Sequence, residues 1–406
     1  MLPGMYLLAK QLTKKTPVAT VVCALMALDC MHLTQTQIAT IDSFPVLFII
    51  FAFFFMLRYI QTDIVRNHIC RSLVPLGMSG LFMGLSIASK WIGIYAGAGL
   101  AILFFWHSGR QLVVSVKARK KIRSGNLSDE EAEKLAPYVR GQSNIITPVI
   151  FRLLIICLWC VFAFIIIPIA IYLLSYIPYM AYNTQIRSFT DYLTAVWKSQ
   201  EGMFSYHSTP GLGMDHPFYS PWYEWPIIGK PMYYASEMYM PSGSKVHYSI
   251  FSFGNPVIWW SALATIMICV YRWINSHHYR IMNEIPDDQP SEPGAYPLSW
   301  HLTTRTWETG FAFVLIGLLA QYLPWVLVPR GTYIYHYFAS IPFLIAGTGL
   351  CMDIGGKKTE MFRKIAGILI VILAAVSFIV FFPYATGIGV WRWWLEIGKN
   401  ILHVYY

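Results

Sequence analysis

Between Leu327 and Leu344 the chain reads LVPRGTYIYHYFASIPFL. An apolar run over 308–326 precedes it, and a second, 333–351, begins inside it. At a rise of about 1.5 Å per residue, each run is long enough to cross a hydrocarbon core as a helix. Yet the junction carries an arginine, a histidine and three tyrosines. Charge at a bilayer border is costly unless it is paired, hydrated or in use. The reading that reconciles the two is a pair of membrane helices with a polar junction, and it makes Arg330 and His336 candidates for function.

Composition supports the membrane reading across the chain. Of 406 residues, 56% are hydrophobic and only 12% charged, and the mean hydropathy is +0.50. Fifteen Trp and 26 Tyr suit the aromatic belts that anchor membrane proteins at both interfaces. The seven cysteines are scattered, six of them in or beside apolar runs. They read as packing residues, and neither a disulfide framework nor a zinc site is expected.

Further apolar runs lie near 17–34, 44–60, 73–89, 91–106, 148–174, 251–272 and 364–383. With the two above they predict about nine transmembrane helices in an all-α polytopic fold. Most of the 30 Lys and Arg fall in segments on one side of that alternation. The positive-inside bias then places the N-terminus in the cytoplasm and the C-terminus outside. It also assigns the net charge of +10 to an anionic inner leaflet, and nucleic acid is not an expected partner. The basic run Lys117–Arg123, followed by SDEEAEKLAPYV at 128–139, reads as a cytoplasmic connector ending in a capped amphipathic helix.

Residues 176–250 form a long outer segment between an N-terminal membrane part, 1–175, and a C-terminal four-helix part, 251–406. Its middle, YHSTPGLGMDHPFYSPWYEWPIIGKPMYY at 206–234, is punctuated by Pro and Gly. Irregular structure or short helices are expected there. Aromatic rings alternate with His207, Asp215, His216, Glu224 and Lys230. Rings can stack on the apolar face of a sugar while polar groups bind its hydroxyls. An interfacial anchor belt would have the same composition. Lys90, at a tight outer turn, joins Arg330 and His336 as a cationic set on one face of the membrane. Such a set asks for an anion, and a lipid phosphate is the nearest candidate. Asp42, in the first outer turn, and Glu224 are the candidate carboxylates. No metal-ligand spacing is present, and no metal or cofactor is expected.

Five stretches in order carry a resemblance: LDCMHLTQTQIATID (28–42), GLFMGLSIASKWIGIYAGAGLA (80–101), HPFYSPWYEWPIIGKPMYY (216–234), FGNPVIWW (253–260) and LPWVLVPRGTYIYHY (323–337). The chain resembles the protein O-mannosyltransferase family, glycosyltransferases of the GT-C type that use a polyprenyl- or dolichyl-phosphate-mannose donor. The resemblance implies metal-independent, inverting transfer of mannose to Ser or Thr hydroxyls of exported proteins at the outer face of a cell membrane. It implies Lys90, Arg330, His336 and Tyr335 at the donor phosphate, and His216, Trp222 and Glu224 on the sugar and acceptor side. The segment 176–250 has no room for the lectin-like domain of eukaryotic members, so the chain looks bacterial. Two departures stand out. The family's first helix and its Asp-Glu loop are not found before Met1, so the presumed base has no counterpart here. An incomplete product, a misplaced start and a partner supplying that part all remain open. Gln37 stands where the family pattern has arginine. A lipid-carrier-dependent transferase of another sugar onto lipid or wall polymer stays open as an alternative. So does a non-catalytic membrane protein.

Overall fold

The computed structural model describes residues 1–62, 64, 67–124, 146–182, 186–236, 246–283, 306–353 and 357–402. The helix expected at 128–139 lies outside them. Short helix α1 (Leu2–Thr13) leads into α2 (Thr16–Ala27) and α3 (Cys30–Gln37), followed by α4 (Ser43–Ile60), α5 (Cys70–Ser89) and α6 (Ile92–Ser124). α7 (Ile146–Val161) runs through a π-helical turn, Phe162–Ile166, into α8 (Ile167–Ser175) and α9 (Ile177–Ala181). After α10 (Phe189–Ser208) come strands β1 (Met232–Ser236), β2 (Val246–His247) and β3 (Ser249–Ser252). The chain ends with α11 (Pro256–Asn283), α12 (Thr306–Tyr322), α13 (Ile341–Asp353), α14 (Lys357–Thr386), β4 (Val390–Trp391) and α15 (Arg392–Leu402).

Among the described residues, eight helices are long and apolar enough to cross a membrane. The pair α2 and α3, bent by 58°, makes a ninth span if taken as one. The expected runs therefore become the expected spans, with one difference. The run 17–34 breaks at Asp29, which caps a new helix by accepting from the backbone N–H of His32 at 3.0 Å. Close packing elsewhere rests on small residues, as lipid-embedded helices require. A Cβ on Gly80 would lie 2.1 Å from the carbonyl oxygen of Ala163, so α5 meets the π-turn backbone to backbone.

The alternation of spans gathers 38–42, 90–91, 186–236, 246–255, 323–333 and 387–402 at one loop-rich end. The segment after α9 is more ordered than its Pro and Gly content suggests. α10 is a 20-residue helix whose start is a capping box between Ser188 and Asp191. β1 pairs with β3, and β2 with β4, both antiparallel.

Asp29 ties this end to the bundle. Its Oδ1 accepts from the backbone N–H of Asn255 at 3.1 Å and from Trp259 Nε1 at 2.9 Å. Asn255 in turn donates from Nδ2 to the carbonyls of Leu28 and Ala374, each at 2.9 Å. Asp29, Asn255 and Trp259 are all buried. This knot explains the polar residues of LDC and FGNPVIWW: they join the broken span to α11 and α14.

Candidate functional site

The loop-rich end holds a cavity of about 850 Å3 between the Lys90 turn, α8–α10 and the chain from Pro324 to His336. Its lining brings together Lys90, Arg330 and His336 with His207, Trp91 and Tyr172. Three segments distant in sequence thus place two cations, Lys90 and Arg330, and two imidazoles, His207 and His336, around one apolar hollow.

Arg330 is set by the chain that carries it. Residues Val328–Tyr333 run, with a bend at Arg330, between two 3-10 turns, Leu323–Leu327 and Ile334–Ser340. The segment after α10 clasps them. Gly211 N–H donates to Pro329 O at 3.0 Å, Gly331 N–H to Leu212 O at 2.8 Å, and Ser220 N–H to Thr332 O at 3.0 Å. The fit requires glycine at 331, where a Cβ would lie 2.3 Å from the carbonyl oxygen of Gly213. So held, Arg330 donates from Nε to His207 Nδ1 and from one terminal nitrogen to Gly331 O, both at 2.9 Å. Its guanidinium also lies 5.6 Å from the centre of the Tyr206 ring. A guanidinium has five N–H donors in a rigid fork, so this arrangement leaves donors to offer. Burial, then the charges of Arg330 and Lys90, lowers the His207 pKa below the ordinary histidine value. A neutral ring is what an Nδ1 acceptor needs.

Lys90 lies at the extended end of α5 and is already paired. Its Nζ is 2.5 Å from Asp42 Oδ1 and 5.3 Å from the centre of the Tyr335 ring. Asp42 is buried; it positions the lysine and does not cap α4. His336, also buried, lies between Trp325 and Tyr335, with ring centres 4.3 and 4.4 Å away. Its Nδ1 is 3.0 Å from both the backbone N–H and the carbonyl oxygen of Tyr333, so it accepts from the first in one tautomer and donates to the second in the other. Tyr335 stacks on Tyr333 at 5.7 Å.

The residues expected on the sugar and acceptor side are placed differently. His216, Trp222 and Glu224 are outside the cavity lining. The His216 ring stands edge-on to Tyr333 at 5.3 Å, one ring away from Tyr335. The carbonyl of Trp222 accepts from Tyr322 OH at 2.9 Å, anchoring the aromatic segment to α12. Glu224 is half-buried in the 3-10 turn Trp222–Glu224. Gln37 donates to the carbonyl of Thr386, the last residue of α14, and is likewise outside the lining. Among the described residues no group of three His, Cys, Asp or Glu is placed to hold a metal.

Sequence reasoning missed one wall. Trp91 Nε1 donates to Tyr172 OH at 3.0 Å, and Tyr172 OH donates to Gln200 Oε1 at 2.6 Å. Gln200 Nε2 donates onward to Tyr176 OH at 2.9 Å. This relay joins α6's entry, α8 and α10 across the cavity. Its visible signal was the capping box of α10, whose register brings Gln200 and His207 onto one face.

Comparison with known proteins agrees with the fold. Residues 1–184 match the family described as dolichyl-phosphate-mannose-protein mannosyltransferase. Residues 192–392 match the C-terminal four-transmembrane region of protein O-mannosyltransferase. The polyprenol-phosphate-mannose–protein mannosyltransferase of Mycobacterium tuberculosis is 22% identical over 438 residues, covering 96% of this chain and 72% of that protein. Its namesake from Mycolicibacterium smegmatis is 23% identical, covering 96% and 73%. The solved protein O-mannosyltransferase Pmt1–Pmt2 complex of S. cerevisiae bound to the sugar donor superposes with a TM-score of 0.68 at 10% identity. The match covers 98% of this chain and 78% of that one.

Proposed function

The chain belongs to the protein O-mannosyltransferase family, a family of GT-C-type membrane glycosyltransferases, and from that premise we propose what its own residues do. It transfers mannose from a polyprenyl-phosphate-mannose donor to Ser or Thr hydroxyls of exported proteins. The loop-rich end faces away from the cytoplasm, with the turn at Lys14 and Lys15 inside, where Lys15 meets Asp353, and the C-terminus outside. The observation that carries the reading is Arg330, fixed at an apolar cavity with donors to offer. An anionic headgroup on a hydrocarbon tail is the ligand that uses both features.

In the reaction the acceptor oxygen attacks the anomeric carbon as the bond from that carbon to the phosphate oxygen breaks. The electron pair leaves on the phosphate, so negative charge grows there. Arg330 meets two phosphate oxygens with its fork, and His336, in the tautomer whose Nδ1 accepts from Tyr333 N–H, donates from Nε2 to a third. Lys90, held by Asp42, adds a fixed positive charge on the same side. Donors that are already oriented stabilise such developing charge without reorganising. Tyr335 and Tyr333, stacked on each other outside the cavity lining, brace Lys90 and His336 on the sugar side, with His216 beyond them toward the acceptor. Trp222 shapes that side by anchoring its backbone to α12. The acceptor proton leaves to a carboxylate. Of the two candidates, Asp42 is committed to Lys90, and Glu224 is the one beyond the lining on the acceptor side.

The test is direct. The chain in lipid nanodiscs, given donor carrying radiolabelled mannose and a Ser/Thr-rich peptide, should label the peptide, and Arg330→Ala should abolish the labelling. Donor binding that is equally tight in Arg330→Ala would contradict the assignment.

A further inference from the structure

We propose that α15 is a membrane-interface helix, and that the cleft behind it seats an acyl chain of the surrounding bilayer. This does not rest on the donor assignment. Three faces of the helix have three different surroundings. Trp394 and Gly398 face the protein: Trp394 Nε1 donates to Val380 O at 3.0 Å, and Tyr384 OH donates to Trp394 O at 2.6 Å. Gly398 N–H donates to the Tyr384 hydroxyl at 3.0 Å. The helix is therefore fixed to α14. Arg392, Glu396 and Asn400 recur every four residues on an exposed polar face, with Arg392 and Glu396 4.0 Å apart.

Trp393, Ile397 and Ile401 also recur every four residues and are 59%, 44% and 50% exposed. This apolar stripe stands beside the polar one. Its cover must be apolar on one side and tolerate water on the other, which describes the headgroup boundary of a bilayer. Continuity with α14 selects the bilayer over other covers. That span exposes Ile368, Leu369, Ile372, Leu373, Val376 and Ile379, the band by which it meets lipid. The stripe on α15 begins where the band ends. Tryptophan, with an apolar ring and a polar N–H, favours that depth.

Between the two helices is a cleft of about 320 Å3 whose lining, Phe378, Ile379, Phe382, Pro383, Val390 and Trp394, is wholly apolar. It opens beside the lipid-facing band, so the chain that fills it comes from the bilayer. The seat also reaches the loop-rich end through β4, which pairs with β2 ahead of β3.

The experiment places single spin labels in a cysteine-free chain in phosphatidylcholine nanodiscs. Labels replace Trp393, Ile397 and Ile401 in one set, and Arg392, Glu396 and Asn400 in the other. The first set should collide several-fold more with oxygen than with a water-soluble nickel chelate, and the second set should show the reverse. High chelate access in both sets would overturn the proposal in favour of a helix in water. Exclusion of both probes from the first set would overturn it in favour of a protein cover, such as a second copy of the chain. Should the cysteine-free chain not fold, the wild-type chain in nanodiscs holding a phospholipid with a photoactivatable acyl chain serves instead. Adducts within Phe378–Trp394 are expected, and their absence there contradicts the seat.

Discussion

Two polar regions share the loop-rich end of this molecule, and they differ in how their hydrogen bonds close. In the knot around Asp29, one buried carboxylate accepts from Asn255, Trp259 and His32. Asn255 binds two further carbonyls. The knot is closed on itself. At the cavity mouth, Arg330 is half-exposed and gives two donors to the protein, while its fork has more. In a membrane bundle, then, charge alone does not mark a site. Donors that are oriented and still available do.

The contrast can be broken by mutation. The largest effect is expected at the knot. Asp29→Ala strands three N–H donors in a buried place, at about 1–3 kcal/mol each. Thermal unfolding in detergent should show a steep loss of Tm, while donor affinity per folded molecule holds. A variant that stays stable but cannot bind donor would make the knot part of the site. Asp42→Asn comes next. It removes the counterion of Lys90, and charged hydrogen bonds are worth about 1.5–3 kcal/mol. Stability should fall less than for Asp29→Ala, and donor turnover should fall with it. Turnover that survives with Tm intact would show that Lys90 needs no positioning.

The smallest effect follows from His207. In the unfolded chain it gains its proton near the ordinary pKa of about 6.5. In the folded chain, burial and the nearby cations lower that value. The contact with Arg330 is therefore complete above the ordinary value and is lost as pH falls through the lowered one. A scan of Tm from neutral to mildly acidic pH should show a shallow acid-side decline that His207→Gln flattens. An identical slope in both proteins would separate His207 from Arg330.

The spans were legible because apolar length is a local property of sequence. So was the gathering of Lys90, Arg330 and His336, since alternating spans put all three at one end. Their partners were not. Asp42 is 48 positions from Lys90, and His207 is 123 positions from Arg330. Only the assembled bundle selects such pairs. The break at Asp29 escaped for the same reason, as two of the four helices it joins, α11 and α14, come from far along the chain. α10 was the avoidable miss: Ser188 and Asp191 spell a helix start, masked by the Pro and Gly further on. His216, Trp222 and Glu224 were grouped by composition, and composition cannot tell a cavity wall from the loop that braces it.

The central claim is that Arg330 holds a ligand and does not hold the fold. Arg330→Lys keeps the charge but removes the fork, so it tests the geometry alone. The measurement is titration of polyprenyl-phosphate-mannose onto both proteins in nanodiscs, with Tm recorded on the same samples. The account predicts a Tm lowered by no more than the shallow contribution of the His207 contact, and an affinity weakened by about 1–3 kcal/mol, the range for a charged hydrogen bond. A fallen Tm with unchanged affinity per folded molecule would contradict it.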